Sequence, residues 1–380
     1  MADMIPFIDL KAQRARLKDQ MDAAIAKVLD EGRYILGPEV TELEEKLAAF
    51  NGMGRALSCA NGTDAILIPL MSWGIGPGDA VFVPSFTFAS TAEVVVLAGA
   101  SPVFVDIDRD TYNLCPKSLA EAIDKVKADG ELTPRAVIAV DLFGQPADYP
   151  KLAEIARAHD LKLVSDCAQG FGCTLNGKSS LEWADVLTVS FYPAKPLGGY
   201  GDGGAVLCKD DDLFDVMKSV RVHGEGKARY EYARIGLNSR LDTLQAAILL
   251  SKLSVFAEEI RLRQKVADRY NAGLGQYVKT PFVIDGAQST WAQYTIEVND
   301  RDGFRAAVGE QGVPTAVYYP IPLHLHEPYA SYPVAPAGLP VTEDVAHRVV
   351  SLPMHPDLSE ADSDRVIAAV KDCDASHFQA

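Results

Sequence analysis

The chain has 380 residues, 48% of them hydrophobic and 23% charged, an ordinary folded composition at a length that favours two units over one growing core. Lys and Arg number 36 against 52 Asp and Glu, and the resulting net charge of −16 argues against a nucleic-acid or anionic-membrane surface. Six cysteines lie scattered with no C-x-x-C pair, and of the seven histidines only His324 and His326 are close, so neither a disulfide framework nor a metal site is expected.

The first residues, MADMIPFIDL, carry acids at positions 3 and 9 and no long apolar core, which predicts no signal peptide and a cytoplasmic location. No run approaches the ~18 apolar residues of a membrane span. Leu17, Met21, Ala24, Ile25, Val28 and Leu29 recur at helical spacing and predict one amphipathic helix over about 11–31. A loop through Tyr34-Ile35-Leu36-Gly37 leads to a helix that begins near Pro38.

A β–α alternation then sets in. Short apolar strands are predicted at 56–60, 81–83, 102–105, 137–140 and 161–164. Helices are predicted at 65–73, 87–97, 118–126 and 149–159. Continuous apolar strands alternating with helices imply a mostly parallel sheet covered on both faces. In such sheets ligands bind beyond the carboxyl ends of the strands, where Asn61-Gly62-Thr63, Phe86-Thr87-Phe88, Asp166 and Lys195 all fall.

Two further strands, at 186–191 and 205–208, flank a Gly-rich turn that holds Lys195. A lysine deprived of water there drops its pKa and can attack a carbonyl. One or two long helices over 241–274 then leave the sheet. After them a smaller α+β unit is predicted, with strands near 292–298 and 316–319 and helices near 302–311 and 359–373. The division is a large unit over 1–255 and a small one over 256–380.

These residues are the set that pyridoxal phosphate requires. Lys195 supplies an amine for an imine. Asp166 supplies an acid at a strand end to keep a pyridine nitrogen protonated, although alone it reads equally well as a capping aspartate. Gln169 can bond a ring hydroxyl. Gly62 and Thr63 at a helix start, with the Ser190 hydroxyl, make an anion site, and the same residues would serve as a plain helix cap. Phe88 can lie on the ring face or simply pack in a core.

Ser190-Phe191-Tyr192-Pro193-Ala194-Lys195 followed by Gly201-Asp202-Gly203-Gly204 resembles the cofactor-lysine signature of the DegT/StrS sugar-nucleotide aminotransferases. The resemblance extends through Tyr34–Val40, Asn61–Ala65, Asp166–Gln169, His223-Gly224, Asn238–Asp242 and Tyr319–Leu323. It implies the fold-type-I aminotransferase fold, a large domain with a mostly parallel sheet plus a smaller C-terminal α+β domain. It also implies a homodimer with shared active sites. Carried over, it makes Lys195 the imine lysine and proton shuttle and Asp166 the ring-nitrogen partner. Gln169 would then take the ring hydroxyl, Phe88 the ring face, and Gly62, Thr63 and Ser190 the phosphate. Asn238 would reach that phosphate from the other subunit. Ser165 stands where the family usually has Glu, and Cys167 where Ala is common.

The stretches 238–260 and 314–323 are most similar to the 3-aminotransferases of UDP-2-acetamido-3-oxo-glucuronate. Arg240 would meet a carboxylate of the sugar or of the donor, beside Tyr318 and Tyr319, with Tyr318 where those enzymes carry His. The expected function is transfer of an amino group from L-glutamate to the 3-keto group of a UDP-2-acetamido-3-oxo-hexose, the uronic acid, for polysaccharide or lipopolysaccharide biosynthesis. The alternatives are a 4-aminotransferase for a 4-keto-6-deoxy sugar nucleotide, an enzyme for a neutral 3-keto sugar, and a non-catalytic PLP-binding regulatory protein. A dinucleotide oxidoreductase would fit the sheet, but Asn61-Gly62-Thr63 is not G-x-G-x-x-G.

Overall fold

One sheet organises most of the chain. The computed structural model describes residues 4–228, 230–373 and 375–378. In chain order α1 (Leu10–Arg16), α2 (Lys18–Glu31) and α3 (Pro38–Asn51) lead into β1 (Arg55–Cys59) and α4 (Gly62–Ser72). Then come β2 (Asp79–Pro84), α5 (Ser90–Leu97), β3 (Ser101–Val105), α6 (Pro116–Asp129), β4 (Thr133–Val140), α7 (Tyr149–Ala158) and β5 (Lys162–Asp166). The short β6 (Thr174–Leu175) precedes β7 (Val186–Ser190), β8 (Gly204–Cys208), α8 (Asp211–Arg221) and the long α9 (Thr243–Leu274). Last are β9 (Ala287–Gln288), β10 (Tyr294–Glu297), α10 (Arg301–Glu310), α11 (Pro340–Arg348), β11 (Val349–Leu352) and α12 (Glu360–Lys371).

Seven strands pair in the order β1-β8-β7-β5-β4-β2-β3. All are parallel except β8, which runs antiparallel to both its neighbours. Gly204 sits opposite Cys59 on one side and Ser190 on the other. The ends of β1 and β7 are thereby brought to one edge of the sheet, together with Asp166, opposite Thr188 at the end of β5. The strands are buried on both faces because helices cover both, as their near-continuous Val, Ile, Leu and Ala content requires.

Helix α9 joins two cores. Its Phe256 and Ile260 pack with the α3 and β7–β8 side. Further along, Val266, Ala267, Tyr270 and Leu274 pack with β10, β11, α10 and α12, and with Ile5 from the N-terminal segment. Among the described residues no helix is long and apolar enough to cross a membrane.

Four local expectations change. The helix expected over 11–31 is parted at Leu17, whose side chain turns in to pack with Met21 and Ile248. The helix expected from Thr87 begins at Ser90, because Thr87–Ala89 form a turn in which the Phe88 carbonyl accepts from the Thr91 N–H. Residues 316–319 are not a strand. Ala316 makes a single bridge to Ser351, while Pro314 and Pro320 bracket the segment and withhold N–H groups, so β10 takes β11 as its partner. Helix α8 was not expected; Asp210 caps it, and Leu213, Phe214, Met217 and Val220 bury one face.

Candidate active site

Lys195 stands just past β7, in a turn closed by its own N–H to the Tyr192 carbonyl at 2.8 Å. Burial pulls its ammonium below the ordinary lysine range, and the carboxylate of Asp166 opposes that shift. Asp166 closes β5 and is 4% exposed. Burial raises its carboxyl, against the Ala168 N–H at 3.0 Å, the charge of Lys195 and the Thr91 hydroxyl. The two groups are thus an acid and an amine close enough to feel each other's charge, each pushed toward neutrality by burial and held partly charged by the other.

Thr91 is a partner that sequence reasoning missed. Its hydroxyl also lies 3.2 Å from that of Thr87, across the turn that starts α5. No sequence signal marked it, because Thr87 lies in the turn before α5 and Thr91 in its first turn.

Gln169 is fixed at both ends of its amide. Its Oε1 accepts the Phe143 N–H at 2.7 Å and its Nε2 donates to the Tyr319 hydroxyl at 3.1 Å. Tyr319 packs edge-on against Phe86, which also meets Phe143. The segment carrying Tyr318 and Tyr319 is tied to the end of β2. There the Ser85 carbonyl accepts the Leu323 N–H at 2.9 Å, and the Ser85 hydroxyl lies 2.7 Å from His324 Nδ1. His324 was set aside as a metal ligand, and the structure gives it this anchoring place.

Gly62 and Thr63 open α4, and the Asn61 side chain caps it by accepting the Asp64 N–H at 2.8 Å. The first-turn N–H groups have no acceptor within a helix, so they face outward with the positive end of the dipole. Gly62 is required here by closeness: a β-carbon on it would stand 2.6 Å from the Ser190 β-carbon and 2.8 Å from its hydroxyl. The start of α4 and Ser190 therefore form a close cradle with no room for a β-carbon at position 62.

The remaining predicted residues are spread around this centre. Phe88 sits in the turn before α5 with its ring 56% exposed. Tyr318 is half-buried beside Tyr319. Asn238 and Arg240 hydrogen-bond each other at 2.5 Å, on a segment joined to the cradle through Ser239, whose hydroxyl accepts the Ala60 N–H. Asn238 is exposed.

An amine poised for a carbonyl, a buried acid beyond it, an oriented amide and an anion cradle fit pyridoxal phosphate in the donor types each part of that cofactor needs. The close approach of the bare Gly62 backbone to Ser190, at a helix start with free N–H groups, is the observation that carries the fit.

A model described as the DegT/DnrJ/EryC1/StrS aminotransferase family matches residues 15–371. UDP-2-acetamido-2-deoxy-3-oxo-D-glucuronate aminotransferase of Pseudomonas aeruginosa is 50% identical over 370 residues, 97% of this chain and 99% of that protein. A protein of Geobacillus stearothermophilus named pleiotropic regulatory protein is 40% identical, over 96% of this chain and 97% of its own. The crystal structure of a DegT DnrJ EryC1 StrS aminotransferase from Brucella abortus is similar with a TM-score of 0.95 at 51% identity, covering 97% of this chain and 98% of that one. The structure of ntda from Bacillus subtilis with bound cofactor PMP has a TM-score of 0.85 at 27% identity, covering 98% of this chain and 85% of that one.

Proposed function

This chain belongs to the DegT/DnrJ/EryC1/StrS aminotransferase family, and from that premise we propose its substrates and the roles of its residues. It is a PLP-dependent sugar aminotransferase of the fold-type-I α/β class. The acceptor is the 3-keto group of a UDP-2-acetamido-3-oxo-hexose, the uronic acid, and the donor is L-glutamate. The product serves polysaccharide or lipopolysaccharide assembly. The enzyme works as a cytoplasmic homodimer with shared sites, and its six cysteines, all thiols, suit a reducing compartment. What supports the acceptor most is the 50% identity, end to end, to the relative named for that uronate.

Bound pyridoxal phosphate supplies an electron-poor ring that stabilises negative charge on the carbon next to the amine. This chain's residues do the rest. Gly62, Thr63 and Ser190 hold the phosphate. Asp166, ionised, would keep a proton on the ring nitrogen, and Gln169 would orient the ring hydroxyl. Phe88 would lie over the ring, and Asn238 would serve the phosphate of the neighbouring subunit. Lys195 Nζ holds the cofactor at rest. With the cofactor and donor bound, its free amine, whose pKa burial has lowered, would take the proton from the donor's α-carbon. Arg240 pairs with a carboxylate of sugar or donor, and Tyr318 and Tyr319 line the sugar side.

The visible spectrum of the protein with PLP, taken before and after L-glutamate alone, tests the reading. Conversion to the amine form of the cofactor is expected, followed by reversal with the UDP-3-oxo uronate and not with a 4-keto-6-deoxy sugar nucleotide. Lys195→Ala is expected to fold and to lose the bound chromophore and at least about a thousandfold of turnover. A band that glutamate leaves unchanged would overturn L-glutamate as the donor, or point to PLP binding without transamination.

A further inference from the structure

Behind the turn that carries Asp166 and Gln169 lies a second aspartate that the roles above do not use. Asp141 directly follows β4, is fully buried, and receives four donors. Its Oδ1 accepts the Ala147 N–H at 3.0 Å and the Tyr149 hydroxyl at 2.6 Å. Its Oδ2 accepts the thiols of Cys167 at 3.0 Å and Cys173 at 3.3 Å. Its backbone N–H donates to the Asp166 carbonyl at 3.0 Å. A β-carbon on Gly170 would stand 2.3 Å from that of Asp141, so the turn rests directly on this residue.

Four donors converging on two oxygens suit a carboxylate, which only accepts. Cys167 is the covalent neighbour of Asp166, so its bond to Asp141 ties the turn that carries Asp166 to the end of β4. We propose that ionised Asp141 is a positioning residue, holding the 166–170 turn so that Asp166 and Gln169 meet the cofactor ring in register. The inference rests on the roles given above to Asp166 and Gln169.

Burial raises the Asp141 carboxyl to about 6, against its four donors. The other titratable groups that face it are Tyr149, Cys167 and Cys173, all pushed up by burial and by its charge. Asp141 is therefore the member of the cluster that titrates between pH 7 and 5. An acid whose folded pKa lies above its unfolded value makes the fold more stable as it takes up its proton. Loss of cofactor over that range is consequently not unfolding at this residue.

The experiment is a titration of the apoprotein with PLP, from pH 8 down to 5, with Tm recorded at each point. Asp141→Asn is expected to bind PLP at least tenfold more weakly at pH 8, with the ratio to wild type narrowing as the pH falls below 6. Cys167→Ala, which cuts the link and leaves Asp141, is expected to weaken binding in the same direction, and Cys167→Ser to restore it. Should Asp141→Asn not fold, the Cys167 pair decides. Wild-type affinity in the folded variants, or a ratio that does not change with pH, would overturn the positioning role. Wild-type protein that fails to bind PLP at all would instead overturn the reading of Asp166 and Gln169.

Discussion

Gly62→Ala isolates the geometry of the anion cradle. The added β-carbon would meet the Ser190 β-carbon at 2.6 Å, its hydroxyl at 2.8 Å and its α-carbon at 3.2 Å, so the obstacle includes backbone and cannot swing aside. Overpacking of this kind costs about 1–3 kcal/mol. The helix preference of Ala over Gly returns at most about 1 kcal/mol, and less at a first helical position. A net loss of about 1–2 kcal/mol is expected, read as a fall of a few degrees in the Tm of the apoprotein. Displacing the α4 start should also weaken PLP by about tenfold, since 1.4 kcal/mol is one decade. A second substitution separates the causes. Ser190→Gly removes the obstructing side chain, so it should couple favourably with Gly62→Ala by about 1 kcal/mol or more in a double-mutant cycle of Tm. Ser190→Ala keeps the β-carbon and should not. An additive cycle, or a Gly62→Ala protein with unchanged Tm and PLP affinity, would refute the close approach.

Two further outcomes follow from residues at the rim and between the cores. Arg240→Ala should lower kcat/KM for the uronate by about 10–100-fold more than for its neutral analogue, the worth of a charge-assisted pair; equal losses would remove the carboxylate role. Glu297 is 6% exposed and accepts from Tyr112 at 2.6 Å, Lys279 at 2.9 Å and Arg109 at 3.2 Å. Burial raises its carboxyl, yet these partners hold it lower than usual on balance. Glu297→Gln should therefore cost about 1–3 kcal/mol near neutral pH. Because the folded pKa is depressed, the wild-type advantage is present above about pH 4.5 and fades as the pH falls through the folded value. A difference in urea-unfolding free energy that stayed constant down to pH 3 would contradict the pairing.

The alternation of apolar strands with helices was legible because each strand is buried on both faces and each helix on one. That is why Val81–Val83, Val137–Val140 and Val186–Val189 stand out from sequence alone. Strand ends place side chains without further information, so Asp166 and Lys195 could be read as neighbours. The order of the strands could not be read: nothing local in Arg55–Cys59 says that its partner is Gly204–Cys208. Helix α8 carried its signal in Leu213, Phe214, Met217 and Val220, which recur at the spacing of one helix face, and Asp210 caps it. Asp141 was hidden for a different reason. At the end of an apolar strand it looks like any turn aspartate, and only the fold shows that two thiols and a tyrosine converge on it.

Because β1 has β8 as its one partner in the sheet among the described residues, the order of manufacture matters. A chain leaving the ribosome exposes Arg55–Cys59 long before Gly204–Cys208 exists to receive it. At roughly 5–20 residues per second the intervening chain takes on the order of ten seconds or more to appear. Through that interval the parallel strands β2 to β5 have one another, whereas β1 waits with its hydrogen-bonding groups unclaimed. The helix start at Gly62 therefore takes its place beside Ser190 only when the strand after the lysine loop arrives between them.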